Sequence, residues 1–90
     1  MVTTYQRAKN LMEADVGDEI VALDVDGGTC FGFNDVASSV WRKLAEPTRF
    51  EMLRDGLLAE YDVPKDQCEE ELRTLLADLV NKGLVSSSTE

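Results

Sequence analysis

Side chains able to do chemistry are scarce in this 90-residue sequence. There is no histidine, so the commonest general base, metal ligand and physiological-pH switch is missing. Neither a Ser-His-Asp nor a Cys-His pair can be assembled. The two cysteines, Cys30 and Cys68, have no C-x-x-C spacing and read as small hydrophobes in or near a core. A zinc site would have to rely on those two thiols and carboxylates, so no metal is expected. Carboxylates are plentiful, but their spacing is not distinctive. Asp15, Asp18, Glu19, Asp24 and Asp26 lie on or beside turns without the D-x-[DN]-x-[DN]-G…E pattern of a calcium loop, and read as solvated turn acids. Glu69-Glu70-Glu71 opens a helix, where acids complement the macrodipole. Gly27-Gly28 lacks the G-x-x-x-x-G-K-[ST] pattern of a phosphate loop. The sequence contains no catalytic constellation and calls for no cofactor.

The charge balance is 9 Lys+Arg against 18 Asp+Glu, a net −9. That sign disfavours nucleic acid, whose affinity comes largely from cations neutralising phosphates, and anionic membrane surfaces. No segment approaches the roughly 18 apolar residues of a membrane span. The stretch Met1 to Met12 holds Arg7 and Lys9 and no apolar run, unlike a signal peptide. A cytoplasmic protein with two free thiols is expected. The length fits one domain, residues 1–90, with an ordered core over about 10–85 and a polar, frayed tail at 86–90.

The elements that must position any site read as β, then α. Leu11 to Val16 is a weak strand. Glu19 to Asp26 alternates, which puts Val21, Leu23 and Val25 on one face. Asp26-Gly27-Gly28-Thr29 is a hairpin turn, and Thr29 to Asn34 is the return strand, completing a three-stranded antiparallel meander. Asn34 or Asp35 caps a first helix whose apolar face is Val36, Val40, Trp41 and Leu44. Pro47 ends it. Thr48-x-x-Glu51 matches a capping box for a second helix that buries Phe50, Leu53, Leu57, Leu58 and Tyr61. A third runs from about Lys65 to Lys82, with Gly83 at the C′ position. The expected class is α+β, three helices covering one face of the sheet.

The third strand of the meander lies at a sheet edge. Edges are normally defended by charge, proline or a bulge, because unpaired N–H and C=O groups recruit other extended chains. Thr29-Cys30-Phe31-Gly32-Phe33 has no such defence. Phe31 and Phe33 share one face, and Gly32 leaves the other open to close approach. The run suits an added peptide strand, unless it is covered by the third helix. On that helix Cys68, Leu72, Leu75 and Leu79 form one ridge, and Glu69, Arg73, Leu76 and Val80 the next. One ridge can face the core and the other line a groove, or both can serve the core. Arg73 can pair with Glu69 one turn back or with an acid on a ligand.

Cys30-Phe-Gly-Phe-Asn34, then Val40-Trp41 and Leu44, then Tyr61-Asp-Val63, then Leu72-x-x-Leu75-Leu76-x-x-Leu79-x-x-x-Gly83-Leu84-Val85 resembles the PqqD-like proteins, also called RiPP recognition elements. The likeness covers roughly residues 10–85 and rests on order and spacing. Trp41 and the Phe-Gly-Phe-Asn lead-in resemble the small leader-binding proteins of lasso-peptide pathways most. Glu46-Pro47 departs from the Asp-Gly common between the first two helices of PqqD itself, and Phe33 stands where Leu is usual. The resemblance implies a winged helix-turn-helix without catalytic activity. It implies that the leader of a ribosomally made precursor peptide adds as a strand beside the third strand, against the third helix. The implied partners are that leader, a leader protease and a cyclase, the protein being a monomer or weak homodimer. Carried onto this sequence, the peptide-binding residues are Thr29, Cys30, Phe31, Gly32 and Phe33 through their backbone, with Leu72, Arg73, Leu76 and Val80 as the groove wall. The acidic surface suits a leader with lysines.

Two other readings remain. A peptide chaperone for a radical SAM or other RiPP-modifying enzyme would use the same groove. A winged-helix DNA-binding regulator would need a basic recognition helix. Residues 65–82 carry Lys65, Arg73 and Lys82 against Asp66, Glu69, Glu70, Glu71 and Asp78, three minus five or −2.

Overall fold

The computed structural model describes residues 2–9 and 11–90. In chain order the elements are β1 (Thr3–Arg7), β2 (Leu11–Val16), β3 (Glu19–Asp24), β4 (Thr29–Gly32), α1 (Asp35–Lys43), β5 (Thr48–Arg49), α2 (Phe50–Glu60), α3 (Lys65–Asn81) and β6 (Val85–Thr89). The class is α+β, as expected. The strands form two three-stranded antiparallel sheets, β2-β3-β4 and β5-β1-β6.

The meander forms where the alternation placed it. Its second turn is closed by Asp24, whose carboxylate accepts the N–H groups of Asp26 and Gly27 at 3.1 and 3.2 Å. Gly28 takes φ 69° there, a left-handed conformation that L side chains avoid. The inward face of β3 differs from expectation. Ile20 and Ala22 are buried in the core, whereas Val21 and Leu23 are half-buried on the outer face and Val25 is exposed. Both faces of this strand carry apolar residues, so hydrophobicity alone could not choose between them. The choice is made by α1: the Ile20 N–H donates to Ser38 Oγ at 3.0 Å, and Ser38 Oγ donates to the Phe33 carbonyl at 3.3 Å.

The second sheet was not foreseen. Residues 86–90, expected as a frayed tail, supply most of β6, paired with β1 from Thr3↔Thr89 to Arg7↔Val85. The ladder extends to Val2 and Glu90, which exchange N–H···O bonds of 2.9 and 3.0 Å. Ser and Thr carry little apolar alternation, so the strand is visible only through its distant partner. β5 arises at Thr48, where a capping box was expected. Thr48 Oγ1 donates instead to the carbonyls of Lys43 and Glu46, and Arg49 is the N-cap of α2 without a side-chain bond.

Helix α1 is capped by Asn34, whose side chain accepts the Ala37 N–H at 2.9 Å. Its Val40, Trp41 and Leu44 are buried, but Val36 is exposed. Helix α2 buries Phe50, Leu53 and Leu57. Helix α3 buries Cys68, Leu72, Leu76 and Leu79 along one line. It ends at Gly83, φ 76°, with Gly83 N–H to Val80 O and Leu84 N–H to Leu79 O, both 3.0 Å, a glycine-terminated C-cap. One core joins these helices to Ile20, Ala22 and Phe33.

Candidate functional site

β4 is the free end of the order β2-β3-β4. The Phe33 N–H donates to the Ile20 carbonyl at 2.9 Å, and Phe31 lies opposite Ala22. In an antiparallel ladder the bonded pairs alternate, so residues 29, 31 and 33 turn their backbone groups to β3. The N–H and C=O groups of Cys30 and Gly32 point to the open edge. Both residues are exposed, and a Cβ at Gly32 would meet nothing within 4 Å. Phe33 is buried against Trp41, ring centroids 5.2 Å apart, and Phe31 is half-buried against the core. The aromatic side chains anchor the strand while its edge stays unpaired.

The flank of α3 nearest this edge is identified by Lys82, whose Nζ lies 5.8 Å from the Phe31 ring centroid. Lys82 also pairs with Asp78 at 2.8 Å. Residues 71, 75, 78 and 82 share that side of the helix at spacings of three and four. There Gln67, Glu70, Glu71, Thr74, Leu75 and Asp78 line an open, acidic cleft. Glu71 borders a second, apolar hollow of about 80 Å³ between Val36, Leu57, Tyr61, Val63, Cys68 and Leu72. Burial pushes the Cys68 thiol and the Tyr61 phenol above their ordinary pKa values, aided by nearby carboxylates. Cys68 is therefore held as an inert thiol.

The residues expected to form the site do not all meet. Thr29 to Phe33 form the edge and its anchors. Leu72 and Leu76 are each 1% exposed and belong to the core: Leu72 reaches only the apolar hollow, and Leu76 the floor of the cleft beside Arg73 and Val80, so neither lines the flank nearest β4. Arg73 and Val80 lie on the other flank of α3, beside Tyr5 and Ser87. Glu69, a candidate partner for Arg73, instead accepts Arg54 Nη1 at 3.1 Å. That bond, with a second that Arg54 donates to Asp55, raises the Arg54 pKa. The reason is angular. With Leu72, Leu76 and Leu79 pointing inward, residues 71, 75, 78 and 82 fall on one side and 73, 77 and 80 on the other. Heptad spacing shows the buried line but not which side meets β4. The one hint in the sequence was the acid-rich series Glu70, Glu71 and Asp78 ending in Lys82.

The outer face of the meander is also apolar. Cross-strand pairs set Met12 beside Leu23, Ala14 beside Val21, and Gly32 and Cys30 beside Val21 and Leu23. Met12 and Val16 are each 62% exposed. Among the described residues, no group of three or more His, Cys, Asp or Glu is placed to hold a metal ion. No helix there is long and apolar enough to cross a membrane.

An α+β domain with the undefended β4 edge beside a helix is the class that this geometry defines. The sequence model of the coenzyme PQQ synthesis protein D (PqqD) family matches residues 19–85. The chain belongs to the PqqD family. No curated protein matches it. Among solved structures it is similar to TbiB1 in complex with the TbiA(beta) leader peptide, at 34% identity and TM-score 0.86, over 94% of this chain and 99% of that one. It also resembles lasso peptide synthetase B1 complexed with the leader peptide, at 20% identity and TM-score 0.77, over 91% and 96% of the two chains. The second likeness concerns the fold.

Proposed function

We propose that this protein is a non-catalytic recognition element that binds the leader of a ribosomally made precursor peptide and delivers it for lasso-peptide maturation. The observation that carries the reading is the open β4 edge, with Cys30 and Gly32 turned outward beside the acidic flank of α3. It is supported by the similarity to a protein solved with a leader peptide. The leader adds antiparallel to β4 and lies over Leu75, with Glu71 and Asp78 facing its cations. The helix contribution comes from that flank, together with the edge residues Thr29 to Phe33. Affinity is moderate, because the peptide is ordered on binding.

The apolar outer face, with Met12, Val21 and Leu23, is where the leader protease docks, and a cyclase follows it. A leader strand on β4 widens that face by one strand. The free thiols Cys30 and Cys68 suit a cytoplasmic setting. Titrating isotope-labelled protein with the precursor leader tests the reading. Amides of residues 30–33 and of 71–82 shift on binding. A leader that leaves those amides unmoved at saturation refutes strand addition at β4.

A further inference from the structure

Chain pairing leaves a second open edge, in the other sheet. β6 terminates the order β5-β1-β6. Val2 and Glu90 exchange ladder bonds, and the Ala8 N–H donates to the Leu84 carbonyl. Alternation then assigns Ser86 and Ser88 to the ladder and directs the backbone groups of Ser87 and Thr89 outward. Both residues are exposed. Ser86 to Thr89 contains no charge and no proline, so this edge, like β4, is undefended.

Beside it stands the cation Arg73. The Arg73 guanidinium lies 5.0 Å from the Phe50 ring centroid, an arrangement that holds it in place. Among the described residues no carboxylate forms a salt bridge with it, although acids outnumber bases 18 to 9. Glu51 borders the neighbouring hollow with Thr3 and Tyr5 but does not pair with Arg73. Between Arg73 and Ser87 runs an open cleft that also takes in Tyr5 and Val80, and Val80 is 37% exposed. The two flanks of α3 therefore differ: Glu71 and Asp78 lie on one, with Lys82 at its end, and Arg73 on the other, where the neighbouring Glu69 is engaged by Arg54.

We propose that β6 and the Arg73 flank of α3 form a second strand-accepting site, which takes an acidic extended segment of a partner protein. Its backbone pairs with Ser87 and Thr89. Residues two apart share a face, so one carboxylate meets Arg73 while an apolar neighbour on the same face covers Val80 and Tyr5. Arginine's planar fork suits a carboxylate better than lysine's point charge. The site is separate from the β4 edge, so one molecule can hold a basic leader and an acidic partner segment together.

The test uses the whole isotope-labelled chain and a blocked hexapeptide alternating Glu with Val, and the same peptide with Lys for Glu. The Glu peptide shifts the amides of 86–89 and the Arg73 side-chain N–H, and leaves 30–33 unmoved. Arg73→Glu, a surface change, weakens it by about tenfold or more, the scale of one charge-assisted contact. Ser87→Pro, which removes an outward N–H and no ladder bond, does the same, each variant's amide spectrum reporting retained folding. Leader titration at β4 is unchanged in both. No shift at millimolar Glu peptide, an equal response to the Lys peptide, or indifference to Arg73→Glu overturns the proposal. So does concentration dependence of the 86–89 amides in protein alone, which would give the edge to a second copy.

Discussion

Glu13 accepts the indole N–H of Trp41 at 2.6 Å, joining a β2 carboxylate to the most buried large side chain of α1. Arg7 completes the cluster. It bonds Glu13 at 3.2 Å and the Trp41 carbonyl at 2.6 Å, and its guanidinium sits 4.6 Å from the Trp41 ring centroid. One residue from each sheet thus meets α1. Glu13→Ala leaves a buried donor without its partner and lowers stability by about 1–3 kcal/mol. Glu13→Gln keeps an acceptor and costs less. Urea unfolding midpoints of the three proteins check the order.

The β4 edge makes a prediction about single backbone groups. Cys30→Pro deletes an outward N–H and leaves the β3 ladder intact. Leader affinity falls by about tenfold, the worth of roughly 1–1.5 kcal/mol for one strand bond. Calorimetric titration measures it, and circular dichroism reports that the fold persists.

The two kinds of α3 residue separate cleanly. Leu72→Ala opens a cavity in the core and costs about 2–5 kcal/mol of stability. Glu71→Lys leaves stability nearly unchanged but weakens a lysine-bearing leader. That loss shrinks as salt is raised, because exposed charges are screened. Parallel unfolding and binding measurements distinguish the two.

Acid sensitivity is expected at Glu60. A hydrogen bond from Lys43, and a second from Ser39 at 2.7 Å, hold its carboxyl below the ordinary 4.5. A depressed carboxylate stabilises the fold fully above its unfolded value and loses that contribution as pH falls through the folded one. The effect is modest, since the Glu60 side chain is 43% exposed. Glu60→Gln removes this part of the pH dependence between about 4.5 and lower values, visible in thermal unfolding across pH.

The outer sheet face separates recognition from delivery. Leu23→Glu places a charge among Met12 and Cys30 without entering the core. Leader binding persists, while leader removal by the cognate protease falls in a reconstituted assay.

The sequence already held the meander, the three helices, the Asn34 cap and the Gly83 stop, because each depends on neighbours within a few residues. It also marked Thr29 to Phe33 as an undefended run, since the absence of charge and proline is a local property. Periodicity identified the buried line of α3 through Leu72 and Leu79.

What tertiary structure decided was every choice between two sides. Val21 and Leu23 looked as fit for the core as Ile20 and Ala22 until Ser38 claimed the Ile20 N–H. Leu76 joined Leu72 in the core, and Arg73 and Val80 turned away from β4, because the helix's rotation is set by everything packed against it. The 86–90 stretch became a strand because Thr3 to Arg7, more than seventy residues away, offered unpaired backbone groups. A chain determines by itself what its local spacing encodes. Which face is buried and which edge stays open is settled only when distant segments compete for the same hydrogen bonds and the same core.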